Sequence, residues 1–168
     1  MVKWLKTSKI AMWILTVLRV YLGFQWAVSG WTKVSGSFSA QGLIQGAIET
    51  PVADDAGANA YPWYTNFLES AVLPNIDLFD FMVSWGELLV GLGLLFGALT
   101  TAAAFFGMVM NFSYLLAGTV SVNPLFILIQ LFILIAGFNA SKVGLDYWII
   151  PFLRDKIPFL KKQADIRY

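Results

Sequence analysis

The segment IAMWILTVLRVYLGFQWAVSGW, residues 10–31, decides the fold of this chain. It is apolar and aromatic almost throughout, with a single arginine, Arg19, near its middle. At about 1.5 Å of rise per residue, such a helix is long enough to cross the ~30 Å hydrocarbon core of a bilayer. It does not read as a cleavable signal peptide. It is too long for an apolar core of that kind, lacks a small-residue cleavage site before its polar flank, and holds a charge at its centre. Residues 76–97, 101–120 and 123–140 repeat the pattern, with Glu87, Asn111 and Gln130 near their middles. The expected fold class is an all-α integral membrane protein: a four-transmembrane-helix bundle with a long outer loop containing short interfacial helices, all in a single membrane domain, residues 1–168.

Composition agrees with this reading. The chain is 58% hydrophobic, 16% aromatic and 12% charged, with a mean hydropathy of +0.71; soluble domains carry about 25% charged residues. Cysteine and histidine are both absent. Thiolate nucleophiles, disulfide relays, iron–sulfur ligation and bis-histidine haem are therefore excluded, and the usual zinc and copper sites lose their ligands. We expect no haem, iron–sulfur cluster or metal; redox chemistry here would need a quinone, another organic cofactor or a partner subunit. No basic patch for nucleic acid, phosphate-cradling loop or nucleophile elbow occurs, and the lipid bilayer is the first expected partner.

Charge sets the expected topology. Lys3, Lys6 and Lys9 precede the first span, and Lys142, Arg154, Lys156, Lys161, Lys162 and Arg167 follow the last. The loop after span one has Lys33 against Glu49, Asp54, Asp55, Glu69, Asp77 and Asp80. Basic residues concentrate on the cytoplasmic side, so both termini are expected there, in a multi-pass protein of the cell membrane. Within the outer loop, residues 34–75, Leu43, Ile44, Ala47 and Ile48 share one helical face, and Trp63, Phe67 and Ala71 share another. Tyr61-Pro-Trp-Tyr64 has the character of an interfacial aromatic anchor. The loop is expected to cap the outer mouth of the bundle, the alternative being a solvated connector. Residues 147–168 read as an amphipathic tail at the inner leaflet, with Phe152–Lys162 alternating apolar and basic side chains.

A charge inside the bilayer costs at least ~2.5–3.5 kcal/mol on insertion scales, so it normally faces a partner or a cavity. At about 100° per residue, Arg19, Gly23, Trp26, Gly30 and Lys33 fall on one narrow stripe, and Asp80, Gly91, Leu94 and Ala98 lie close to the face of Glu87. Gly93 and Gly97 form a GxxxG on a neighbouring face. Counting from the span ends puts Arg19 and Glu87 both near the midplane, where they are expected to pair, with Asn111 and Gln130 in the same polar layer. Ser113, Tyr114, Asn123 and Pro124 lie nearby. This layer has two readings, a buried network that fixes helix register or a site for an anion or quinone carbonyl.

Two of these patterns carry a resemblance. Arg19-x-x-Leu22-Gly23-x-x-Trp26-x-x-x-Gly30-x-x-Lys33 and Glu87-Leu-Leu-Val-Gly91-Leu-Gly93-Leu-Leu-Phe-Gly97 resemble the signature of the DoxX/DoxD membrane family. The resemblance implies a membrane subunit of a quinone-linked oxidoreductase of the thiosulfate:quinone type, with a separate soluble redox subunit as partner; a homo-oligomer is left open. It matches Arg19 and Glu87 to the family's intramembrane charges and Lys33 to its outer lysine. Arg19 and Glu87 are then the catalytic candidates, and Lys33, Trp26, Asn111 and Gln130 the substrate-binding ones. The competing reading is a non-enzymatic scaffold for a soluble redox or stress-response partner. A small-solute carrier is weaker, because the chain has no internal repeat.

Overall fold

The computed structural model describes residues 1–157, so residues 158–168 of the expected amphipathic tail, with Lys161 and Lys162, lie outside the described residues. Among the described residues nine α-helices follow one another: α1 (Val2–Thr7), α2 (Lys9–Ser35), α3 (Gln41–Glu49), α4 (Pro62–Phe67), α5 (Ile76–Phe96), α6 (Thr100–Leu116), α7 (Asn123–Ala136), α8 (Phe138–Ser141) and α9 (Asp146–Lys156). A wide turn of helix, Leu68–Val72, and a tight one, Leu73–Asn75, join α4 to α5, so Pro62–Phe96 forms one run of 35 residues. Pro74 cannot donate to the ladder, and the irregular turns fall around it. Among the described residues two helical runs are long and apolar enough to cross a membrane, Lys9–Ser35 and Pro62–Phe96.

These limits differ from those expected. The segment around Trp63 and Phe67 is no separate interfacial helix but the start of the helix that continues into α5. Helix α6 ends at Leu116 instead of residue 120, and α7 ends at Ala136, where Gly137 takes φ 56°. Hydropathy cannot mark these ends, because apolar residues continue through Val120 and Phe138.

Helices α2 and α5 pack antiparallel with their backbones in contact. A Cβ on Gly23 would run into the backbone of Leu95, one on Gly91 into Ala27, and one on Gly30 into Leu88. These three glycines allow close approach of the helix axes and fix the axial register. Around this seam lies a core of Leu15, Leu22, Trp26, Val90, Leu94, Ala104, Phe126, Ile129 and Ile133. The segment after α2 is folded and has its own smaller core, in which Ile44, Ala47, Tyr64, Leu68 and Val72 are buried and Phe79, Leu116 and Ala117 pack against them. The Ala40 N–H donates to Asp80 Oδ1 at 2.7 Å, and the Tyr64 hydroxyl donates to the Ser113 carbonyl at 2.8 Å. At the opposite end, Asn139 Nδ2 donates to the carbonyls of Leu5 and Ser8 and ties α1 to the bundle. Asn139→Leu removes the side-chain donor from both carbonyls, although Ser8 keeps the Met12 N–H, and should free α1 and raise its amide hydrogen exchange while that of α5 stays unchanged.

Candidate functional site

The expected pairing of Arg19 with Glu87 does not occur. With Leu95 opposite Gly23 and Leu88 opposite Gly30, Glu87 comes level with the last turns of α2, and Arg19 with the turn that follows α5. Twelve residues of helix separate those levels, roughly 18 Å. Counting from span ends failed because the helix containing Glu87 begins at Pro62 and runs past the end of α2. Each charge has another partner.

Glu87 is 3% exposed and accepts three hydrogen bonds. Lys33 Nζ donates to Oε2 at 2.6 Å, Ser29 Oγ to the same oxygen at 2.7 Å, and Tyr114 Oη to Oε1 at 2.7 Å. Lys33 also donates to Ser29 Oγ at 2.8 Å and lies 5.2 Å from the centre of the Phe38 ring. Ser29 and Lys33 are one turn apart on α2, and Gly30 between them lets α5 approach closely enough for Glu87 to reach both. Charge-assisted bonds of this kind are the strong ones, and a carboxylate with both oxygens engaged is fixed in orientation. The ion pair is asymmetric: the Lys33 side chain is 21% exposed and that of Glu87 4%.

Asn111 and Gln130 do meet. Asn111 Nδ2 donates to Gln130 Oε1 at 2.8 Å, and both side chains are buried. Gly107 makes room for this pair, since a Cβ there would crowd Gln130 Nε2 at 2.6 Å and Val90 at 2.9 Å. Asn111 Oδ1, Gln130 Nε2 and Trp26 Nε1 are buried without a hydrogen-bond partner. Trp26 belongs to the main core. Four of the six candidate residues thus form two bonded pairs, Lys33 with Glu87 and Asn111 with Gln130.

Arg19 is 2% exposed at the other end of the seam. Its Nη2 donates to the Val143 carbonyl, while Nε and Nη1 have no partner. Gly97 and Gly144 leave the space it fills; a Cβ on Gly97 would coincide with Nη1. Asp146 supplies the opposing charge. That carboxylate is itself 1% exposed and accepts from the backbone N–H of Leu99 at 2.7 Å and of Thr100 at 2.8 Å. Helix α6 has no capping side chain of its own, and Leu99 stands in the left-handed region at φ 49°. Asp146 therefore caps α6 from 46 residues away and stabilises a strained turn. Asp146→Ala strands both donors and is expected to lower stability by about 2–4 kcal/mol, read as a lower thermal midpoint in detergent. A wild-type midpoint would show that the cap does not matter to the fold.

Sequence reasoning missed Ser29 and Asp146 and gave Tyr114 only a minor place. The signals were present but weak. Tyr114 lies three residues after Asn111 on the same face, and Ser29 one turn before Lys33. Asp146 is one of few acids in a basic tail, and Leu99-Thr100-Thr101 opens α6 without a capping residue in front of it.

The DoxX family model matches residues 14–119, which run from α2 through α6 and include Arg19, Trp26, Ser29, Lys33, Glu87, Asn111 and Tyr114. No curated protein and no solved structure matches the chain. The match covers more than half of the chain, together with two helices of membrane-spanning length, and the protein belongs to the DoxX family of membrane proteins.

Proposed function

We propose that this protein is the membrane subunit of a quinone-linked oxidoreductase, and that the Lys33–Glu87 cluster handles its small polar ligand and a proton. The observation that carries the reading is the convergence of Lys33, Ser29 and Tyr114 on one buried carboxylate. Ionisable groups buried in a membrane helix are costly to keep, and they mark ligand or proton sites. Glu87 can take or release a proton with two hydroxyls and an ammonium already bonded to it. The Lys33 ammonium, partly exposed on the side of the loop, is the group placed to meet a small anion such as thiosulfate.

The donor set also fits a quinone headgroup. Quinone carbonyls accept hydrogen bonds, and Trp26 Nε1 and Gln130 Nε2 are buried donors without partners. A bound quinone would supply a two-electron, two-proton acceptor. Trp26 and Gln130 would orient its ring, Glu87 would hold the proton, and the aliphatic core would exclude water. In this reading Arg19 acts on the fold, fixing the 142–146 segment against the α5–α6 turn, and the oxidation of the anion belongs to a separate soluble subunit.

The proposal includes four spans with both termini in the cytoplasm, in the cell membrane. It is supported by the charge distribution and by the lipid-compatible faces of α6 and α7, where Phe105, Phe106, Phe112, Leu125, Leu128 and Leu131 are exposed. Helix α6, at 17 residues, is within the range that can span, and α8 prolongs the shorter α7.

Mass spectrometry of an organic extract, from protein purified in mild detergent, is expected to find about one quinone per chain. Trp26→Phe and Gln130→Leu should fold and lower that occupancy. A folded, lipid-bearing preparation without quinone would move the reading to the scaffold, with the folded segment between α2 and α5 as the docking surface.

A further inference from the structure

We propose that the groove between α6, α7 and α9 binds one acyl chain of an anionic phospholipid, whose phosphate meets Arg154. The groove has a volume of about 460 Å³, within the range of small-molecule sites. Phe105 and Phe106 of α6, Leu134 of α7, and Ile150 and Leu153 of α9 line it, with Thr101 as a polar group on its α6 side. A lining of this composition accepts a hydrocarbon chain and little else.

Charge identifies the lipid. Leu134 is in the groove wall, and one turn later, past the break at Gly137, comes Phe138. The Arg154 guanidinium lies 5.7 Å from the centre of the Phe138 ring, which places a cation beside the groove where α7 finishes. Lys142 and Lys156, in the adjoining segments, are exposed. Two acids lie in this region. Asp146 is buried and committed to the N–H groups of Leu99 and Thr100, so it does not cancel the surface charge. Asp155 is on α9 beside Arg154 and makes an interaction of its own. Tyr147 and Trp148 are 58% and 67% exposed, as aromatic side chains at headgroup depth are. An apolar groove, a cation at its end and an aromatic belt together suit a lipid whose headgroup is negative.

A basic residue at an anionic membrane surface contributes about 1 kcal/mol, or about fivefold in affinity. Native mass spectrometry of the full chain, titrated with phosphatidylglycerol or with phosphatidylcholine of the same acyl chains, tests the site. The expected result is one saturable lipid per chain, with phosphatidylglycerol favoured about fivefold. Arg154→Gln, at a half-buried position of α9, should bring that preference close to one while the protein still folds. Ala102→Trp, which fills the groove from an exposed position of α6, should weaken both lipids. Equal binding of the two lipids by the wild-type chain, or a preference unchanged in Arg154→Gln, would overturn the proposal. So would many weak, unsaturable adducts, which indicate only the lipid annulus. The test is independent of quinone, so the oxidoreductase reading can fail without affecting it.

Discussion

Gly91→Leu is expected to abolish the folded protein. The position that a Cβ would take is already filled by the backbone of Ala27. Ordinary overpacking of a core costs about 1–3 kcal/mol, because flexible side chains can move aside. Here the obstruction is main chain, so α2 and α5 must separate along their length. The core around Leu22, Trp26, Val90 and Leu94 opens as they do, and the cost exceeds that range. Gly23→Leu and Gly30→Leu should act in the same way, each against the other helix's backbone. The control is Gly42→Ala or Gly46→Ala in α3, where nothing lies within 4 Å of the new Cβ. Those changes replace a helical glycine and should be neutral or stabilising by up to about 1 kcal/mol. Folded yield by size-exclusion chromatography in mild detergent reads both sets. Wild-type yield from Gly91→Leu would mean that the two helices are not held at this distance.

Lys33→Met is expected to destabilise the protein more than Glu87→Gln does. Breaking a buried pair by removing one partner costs about 3–5 kcal/mol, because the other charge is stranded. The two halves of this pair are not equally stranded. Without Lys33, a carboxylate that is 4% exposed keeps only the hydroxyls of Ser29 and Tyr114. Without a charge on Glu87, the Lys33 ammonium, on a flexible stem and already 21% exposed, can turn toward water. The full cost should therefore fall on Lys33→Met and a smaller one on Glu87→Gln, with the double variant recovering most of the loss. Thermal midpoints of the three proteins in one detergent decide it. Equal losses, or a double variant worse than either single change, would contradict this account. If the double variant is well folded and has lost quinone or anion binding, the cluster is a site as well as a brace.

The contrast between Arg19 and Glu87 shows what was legible. Both were identifiable as buried, costly charges, because an ionisable side chain inside an apolar helix stands out locally. Their partners were not identifiable. Arg19 is held by the Val143 carbonyl, with the Asp146 charge nearby, more than a hundred residues along the chain, and Glu87 by residues of two other helices. Asn111 and Gln130 were expected in one layer with both charges; that layer does not form, and the two amides bond to each other because α6 and α7 are joined by a short turn, which leaves their relative register little freedom. Gly23, Gly30 and Gly91 were readable as packing positions, but neither helix alone specifies which residue of the other faces each glycine.

The sequence by itself determined that the chain is helical and belongs in a membrane. It also determined which residues were chemically exceptional, since hydropathy and the 3.6-residue period are properties of one segment at a time. Only the tertiary structure decided that the charges form two clusters at opposite ends of the α2–α5 seam. That depends on axial register, which is set where two glycine-bearing backbones meet.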